Sequence, residues 1–264
     1  MNELQHLQKV ILSIVKEIDE LCRKNNIEYY LFGGSAIGAI RHKGFIPWDD
    51  DLDIIMDHSN YDKFIKVCRE QLDTEKYYFQ EGLVDWPMLF SKVRLRGTLL
   101  EEPGSYGEDN SKKGIFVDVF KLDNAPQKSI LRIWQYICGK YLLCYCLLQR
   151  GYKEASLKKK ILMYSAYPLK VKFLRHFFHR QLIKYNKTNT YYYASFGARF
   201  KYKNSFYRKD LYSNPIYVPF EDTQLPIPEK YDELLTQIYG DYMTPPPVIE
   251  QQGWHMLKVD FGKY

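Results

Sequence analysis

Leu4, Leu7, Ile11, Ile14, Ile18 and Leu21 recur at steps of three and four residues. That is the period of a helix burying one face, so the chain is expected to open with an amphipathic helix. Three heptads are too few to require a coiled coil. Residues 27–32 then form a short β-prone run that meets Gly33-Gly34-Ser35, after which 36–41 can continue as a helix stopped at Gly44. The order is strand, glycine turn, helix. Asp49-Asp50-Asp51-Leu52-Asp53-Ile54-Ile55-Met56 ends β-branched and apolar and reads as a strand containing Asp51 and Asp53. Ser59 with Asp62 resembles a capping box for a helix to about residue 71. Further strands are expected at 77–80, 89–95 and 115–120, helices over 128–187, and a short helix near 231–239. Strands mixed with helices predict an α/β (α+β) fold.

The chain's 264 residues allow one large domain or a core with a smaller elaboration. With 45% apolar and 27% charged residues, the disordered and collagen classes are excluded. The five cysteines are an odd number with no CxxC pair, which argues for reduced thiols and against zinc. Residues 1–25 carry Glu3, Lys9, Lys16, Glu17, Asp19 and Glu20 and offer no apolar run for secretion. The most apolar stretch, 130–148, is broken by Arg132, Gln135 and Lys140 and is too interrupted to span a bilayer. The expectation is a soluble, cytoplasmic protein.

Charge changes that picture. Residues 128–187 hold 14 Lys or Arg against Glu154 alone, a net +13, which leaves −7 for the rest of a chain whose total is +6. Trp134, Tyr136, Tyr141, Tyr145, Phe173, Phe177 and Phe178 are interleaved with these cations. Basic, aromatic helices suit an anionic membrane surface or another polyanion, and a solvated helical subdomain is the plainer alternative. No DNA- or RNA-binding module pattern is present, so nucleic acid is not expected.

In a strand, residues two apart share a face, so Asp51 and Asp53 would present both carboxylates together. Two anions that close repel unless a cation lies between them, and oxygen ligands suit a hard divalent ion such as Mg²⁺ or Mn²⁺. Asp118, alone in the apolar run Ile115-Phe116-Val117-Asp118-Val119-Phe120, is costly to bury without a partner or a metal. If its strand neighbours the first, three carboxylates converge into a site that clamps a phosphate for in-line displacement. Gly33-Gly34-Ser35 would let a helix N-terminus approach that anion. Taken singly, each element has a plainer reading: a turn, a solvated loop, an ion-paired core acid. A P-loop fails because Ala39-Ile40 follow Gly38, and an EF-hand fails at Ile54 and Asn60.

The stretch from Phe32 to Ile54, with Gly33-Gly34-Ser35, Pro47-Trp48 and Asp49-Asp50-Asp51-Leu52-Asp53, resembles the signature of the LicD family. These are relatives of fukutin-related protein within the nucleotidyltransferase superfamily. The likeness continues in Lys92-Val93-Arg94 with Thr98, in Gly114 to Phe120 with Asp123, and in Tyr239-Gly240-Asp241-Tyr242-Met243 with Pro246-Pro247. It implies a nucleotidyltransferase-like mixed sheet over 1–127, a basic helical insertion over 128–190, and a C-terminal segment, 191–264, returning to the core.

The resemblance also implies transfer of phosphocholine, or another phospho-substituent such as ribitol or glycerol phosphate, from a CDP-linked donor. The acceptor would be a hydroxyl of a cell-surface glycan (lipopolysaccharide, teichoic acid, capsule) or its lipid-linked precursor, and CMP would leave. By residue, it implies that Asp51 and Asp53 bind metal with Asp49 flanking, and that Asp118 is the third strand acid, a ligand and candidate base. Gly34-Ser35 would form the phosphate turn, while Lys92 and Arg94 would steady the donor phosphates. The lipid-linked acceptor and the basic helices together imply a peripheral position on the inner membrane face. The aromatic surplus offers Trp48, Trp86 and Trp254 as faces for a quaternary ammonium. Other readings are a small-molecule nucleotidyltransferase and a non-catalytic ion-binding, membrane-docking module.

Overall fold

The computed structural model describes residues 2–103, 109–153, 156–198, 200–251, 253 and 257–264. Its first helix, α1 (Glu3–Lys24), starts at Asn2, whose side chain accepts from the Gln5 amide while the Gln5 side chain answers the Asn2 amide. Leu7, Ile11, Ile14 and Ile18 form its buried stripe, as the spacing predicts. The chain continues through β1 (Tyr30–Leu31), α2 (Gly33–Arg41), β2 (Asp53–Asp57) and α3 (His58–Gln71). Strands β3 (Tyr77–Gln80), β4 (Ser91–Leu95), β5 (Leu99–Glu101) and β6 (Phe116–Ala125) follow. Next come the helices α4 (Ser129–Gln149), α5 (Leu157–Ser165) and α6 (Lys172–Ile183). The remainder holds β7 (Tyr192–Ala194), β8 (Phe206–Arg208), β9 (Pro215–Phe220), β10 (Thr223–Pro228), α7 (Tyr231–Tyr239) and β11 (Lys258–Asp260).

The main sheet runs β1-β2-β6-β4-β3, with β7 and β8 continuing from the far end of β6. Among the strands of the described residues only β2 and β6 pair in parallel, and their register sets Asp53 opposite Asp118. Antiparallel pairing of β4 with β6 sets Lys92 opposite Asp118 and Arg94 opposite Phe116. Side chains alternate across a strand, so Asp53, Asp118 and Lys92 share one face of three adjacent strands. The other face carries Ile54, Met56, Val93, Val117 and Val119, buried in the same core as α1 and α3. The sheet has a dry side and a side with charges, in a mixed α/β fold.

Two local expectations are corrected, and one element is added. Asp51 is not in a strand: β2 begins at Asp53, and Asp49, Asp50 and Asp51 lie in the preceding loop. The helix after β2 is capped by Asp57, which accepts from the Ser59 and Asn60 amides, because the chain leaves the strand two residues earlier than Ser59. The prolines of Pro215–Phe220 and Thr223–Pro228 sit in a two-stranded hairpin that the apolar pattern does not announce.

Candidate active site

Residues 49–51 arrive at the sheet from one side and the glycine turn from the other. Gly33 has φ +58°, and a Cβ there would stand 3.3 Å from Asp53 Oδ2 and 3.4 Å from the Tyr239 hydroxyl. A Cβ on Gly34 would stand 2.7 Å from Asp49 Oδ2. Both glycines therefore give the carboxylates room at the start of α2. The Ser35 hydroxyl accepts from the Asp53 amide at 2.9 Å, tying the turn to the first residue of β2. The Ser35 amide itself closes onto the Phe32 carbonyl at 3.1 Å. Arg41 holds the Tyr242 carbonyl at 2.7 Å, so α2 also anchors the C-terminal motif that brings Tyr239 to the cluster.

One ligand atom from each of Asp49, Asp50 and Asp51 lies within 4.8 Å of the others. Burial and the neighbouring Asp51 and Asp50 push the Asp49 carboxyl up to about 8. The Asp53 carboxyl is raised well above its ordinary value by burial, then by Asp51, Asp118 and Asp49, against the opposing Lys92. Asp118 is pushed up to about 6, burial outweighing the attraction of Lys92. The Tyr239 hydroxyl is raised by burial and by Asp53, Asp49 and Asp51, which keeps it a proton donor. These are carboxylates crowded without enough positive charge of their own, and an all-oxygen set fits a hard divalent cation.

Behind them lies a network with ample positive charge. Lys92, 1% exposed, has Nζ 2.7 Å from Asp118 Oδ1 and 3.1 Å from Glu102 Oε1. Lys92 donates a hydrogen bond to Glu102 and forms an ion pair with Asp118. Arg94 donates to Gln80 Oε1 at 2.7 Å, the Gly114 carbonyl at 2.9 Å and Glu102 Oε2 at 3.2 Å. Burial alone would raise Glu102, yet Lys92, Arg94 and Arg150 hold it at about 2.

The structure thus brings Asp49, Asp51, Asp53, Asp118, Gly34, Ser35 and Lys92 together. It gives Arg94 a different place from the phosphate grip expected of it: a buried brace for Glu102, with its donors engaged by the protein. Trp86 is buried, with Lys92 and Arg150 5.2 Å and 5.0 Å from its ring centre. Trp48 is partly buried against the core, and Trp254 lies outside the described residues. Glu102 and Arg150 were not foreseen. Two cations alternating in an apolar strand, Lys92 and Arg94, were the signal that a buried counter-charge must exist.

A separate cavity of about 840 Å³ lies between α3, β6 and α6, lined among others by Tyr61, Lys121, Asp123, Arg175, His176 and His179. None of the clustered aspartates lines it. The convergent carboxylates are therefore the candidate site.

Comparison with known proteins bears on that site directly. A model described as "LicD/FKTN/FKRP, nucleotidyltransferase domain" matches residues 26–135, a span that includes every clustered aspartate. The chain is 30% identical over 263 residues to the lipopolysaccharide cholinephosphotransferase LicD of Haemophilus influenzae, covering 96% of each. The chain belongs to the LicD family. An uncharacterized protein of Rickettsia typhi is 42% identical over 57 residues, which is 22% of this chain and 18% of that protein. One of Rickettsia prowazekii is 46% identical over 50 residues, 19% of each. LicD is a family of transferases, and this member is an enzyme of that kind. Among the described residues no helix is long and apolar enough to cross a membrane.

Proposed function

We propose that this LicD-family enzyme transfers phosphocholine from CDP-choline to a hydroxyl of a cell-surface glycan or its lipid-linked precursor, releasing CMP. The observation that carries the reading is the in-register meeting of Asp53 and Asp118 beside the Asp49–Asp51 loop. The choline substituent rests on the name of the Haemophilus influenzae relative.

Asp49, Asp51, Asp53 and Asp118 would hold a divalent cation, Mg²⁺ or Mn²⁺. Such an ion neutralises a diphosphate and stabilises the charge that develops on the leaving CMP. The chain's own groups do the rest. Ser35 fixes the backbone of Asp53, and the two glycines let the start of α2 approach the donor phosphates. Lys92 keeps Asp118 within reach of its ionised form at neutral pH, so a carboxylate of the cluster can take the acceptor's proton. The acceptor oxygen bonds to the phosphorus that carries choline, and the bond from that phosphorus to CMP breaks, CMP keeping the electron pair.

The test is to incubate the protein with Mg²⁺, a lipopolysaccharide glycan lacking phosphocholine, and CDP-choline, CDP-ribitol or CDP-glycerol in turn. CMP should appear with CDP-choline and stop on chelation. CMP from another donor moves the reading to that substituent. Pyrophosphate from a nucleoside triphosphate would make the enzyme a nucleotidyltransferase, and no product from any donor would leave a non-catalytic ion-binding module.

A further inference from the structure

The helices α4 to α6 are apolar on two sides. Their inner residues Cys138, Leu142, Tyr145 and Leu182, with Leu169 between α5 and α6, are buried in one cluster with Ala125, Ala194, Phe196 and Phe206, and Met163 of α5 is buried too. On the outside, α4 shows Ile130, Ile133, Trp134 and Ile137, at one-face helical spacing, with exposures of 68, 41, 42 and 39%. Helix α5 repeats the spacing with exposed Leu157, Ile161 and Tyr164, and α6 adds Phe173, 76% exposed, and Phe177. The α4 stripe meets α6 directly, since Trp134 Nε1 donates to Gln181 Oε1 at 3.4 Å and its ring lies beside Phe178. None of these outer side chains is needed to close the core.

Exposed cations surround the stripes. Among the described residues, no salt bridge includes Lys128, Lys158, Lys160, Lys170, Lys172 or Arg180. We propose that this face docks on an anionic lipid bilayer, its aliphatic and aromatic side chains entering the headgroup boundary while the lysines meet lipid phosphates. Charge selects the occupant. A second copy of the chain would set +13 against +13. A nucleic acid would engage the lysines and leave Ile130, Ile133, Ile137, Leu157 and Ile161 in water. With no spanning helix among the described residues, the mode is attachment to the surface.

The experiment is co-sedimentation of the full chain with phosphatidylcholine vesicles, with or without phosphatidylglycerol, at low and high salt. Binding is expected only with phosphatidylglycerol and should weaken with salt. At about fivefold per lysine, Lys158→Gln with Lys160→Gln and Lys172→Gln should weaken it about a hundredfold. Ile161→Ser with Phe173→Ser should also weaken it, whereas Val248→Ser, at a residue 82% exposed outside these helices, should leave it unchanged. Circular dichroism shows whether each variant is folded. Binding indifferent to phosphatidylglycerol, an Ile161 and Phe173 variant that binds like the wild type, dimerisation without lipid binding, or duplex DNA competing fully for the site would each overturn the proposal. The assay needs no turnover, so its failure leaves the transfer reaction standing, and the reverse.

Discussion

Glu102 and Asp53 are both carboxylates sunk beside the same lysine network, and their surroundings treat them in opposite ways. Glu102 is embraced by Lys92, Arg94 and Arg150 and stays ionised down to about pH 2. Asp53 faces Asp51, Asp118 and Asp49 with Lys92 as its opposing charge, and its proton is held far more tightly than usual. The difference separates a charge the protein balances with its own cations from one it leaves crowded by other acids. A buried carboxylate with its own cations belongs to the scaffold. Several carboxylates that raise one another mark a place where something positive is meant to bind.

The largest expected effect tests the deficient side. If the proposed metal site and reaction hold, Asp53→Asn keeps the shape and removes a ligand charge, so CMP release should fall about a thousandfold or more, because a bound metal would supply several kcal/mol to such a transition state. The fold should survive, since relief of repulsion favours it. A melting temperature in chelator equal to or above that of the wild type is expected, and turnover at the wild-type rate would remove Asp53 from the metal site.

Glu102→Gln probes the satisfied side and should reverse the pattern. It leaves Arg94 buried without its acidic partner and Lys92 with Asp118 alone, a defect that costs about 3–5 kcal/mol. Urea unfolding should show that loss with or without Mg²⁺. A variant as stable as the wild type would mean that Glu102 is not the charge that balances the two cations.

Much of this contrast was readable before folding, and the missing part has physical causes. The glycine turn, the acidic run and Asp118 stand out because glycines and acids interrupt β-branched runs, and the strand Tyr77–Gln80 and the helix Tyr231–Tyr239 fall where the pattern puts them. The position of Asp51 was misread because a strand's period does not say where pairing begins. The β2–β6 register starts at Asp53, and Asp51 reaches its neighbour from a loop. Glu102 stayed hidden since Glu101-Glu102 at the end of a short strand looks like any solvated acidic pair. Its burial comes from contact with Lys92 and Arg94 of β4, which it meets only after the chain has passed through β5 of a separate small sheet.

The smallest effect distinguishes the two groups by pH in one preparation. A carboxyl whose pKa is raised in the folded state takes up a proton on folding, so its stabilisation is full below the unfolded pKa and is lost as pH climbs through the folded one. For Asp49 that window runs from its ordinary 3.8 to about 8, and for Asp118 from 3.8 to about 6. Glu102 acts in the other sense: its contribution is full above its ordinary 4.5 and is lost as pH falls toward 2. Between pH 5 and 8 Glu102 does not titrate, so the acidic cluster lowers stability as pH climbs, opposed by His42 and His179, whose protonated forms burial disfavours; metal-free protein should melt at a lower temperature at pH 8 than at pH 5. Mg²⁺ competes with those protons, so the melting temperature it restores should be large at pH 8 and small at pH 5. Thermal scans with chelator and with Mg²⁺ at the two pH values decide the matter. A flat metal-free profile, or an equal gain from Mg²⁺ at both, would mean that the clustered aspartates are already neutralised by the protein, as Glu102 is, and that the contrast between the two groups is false.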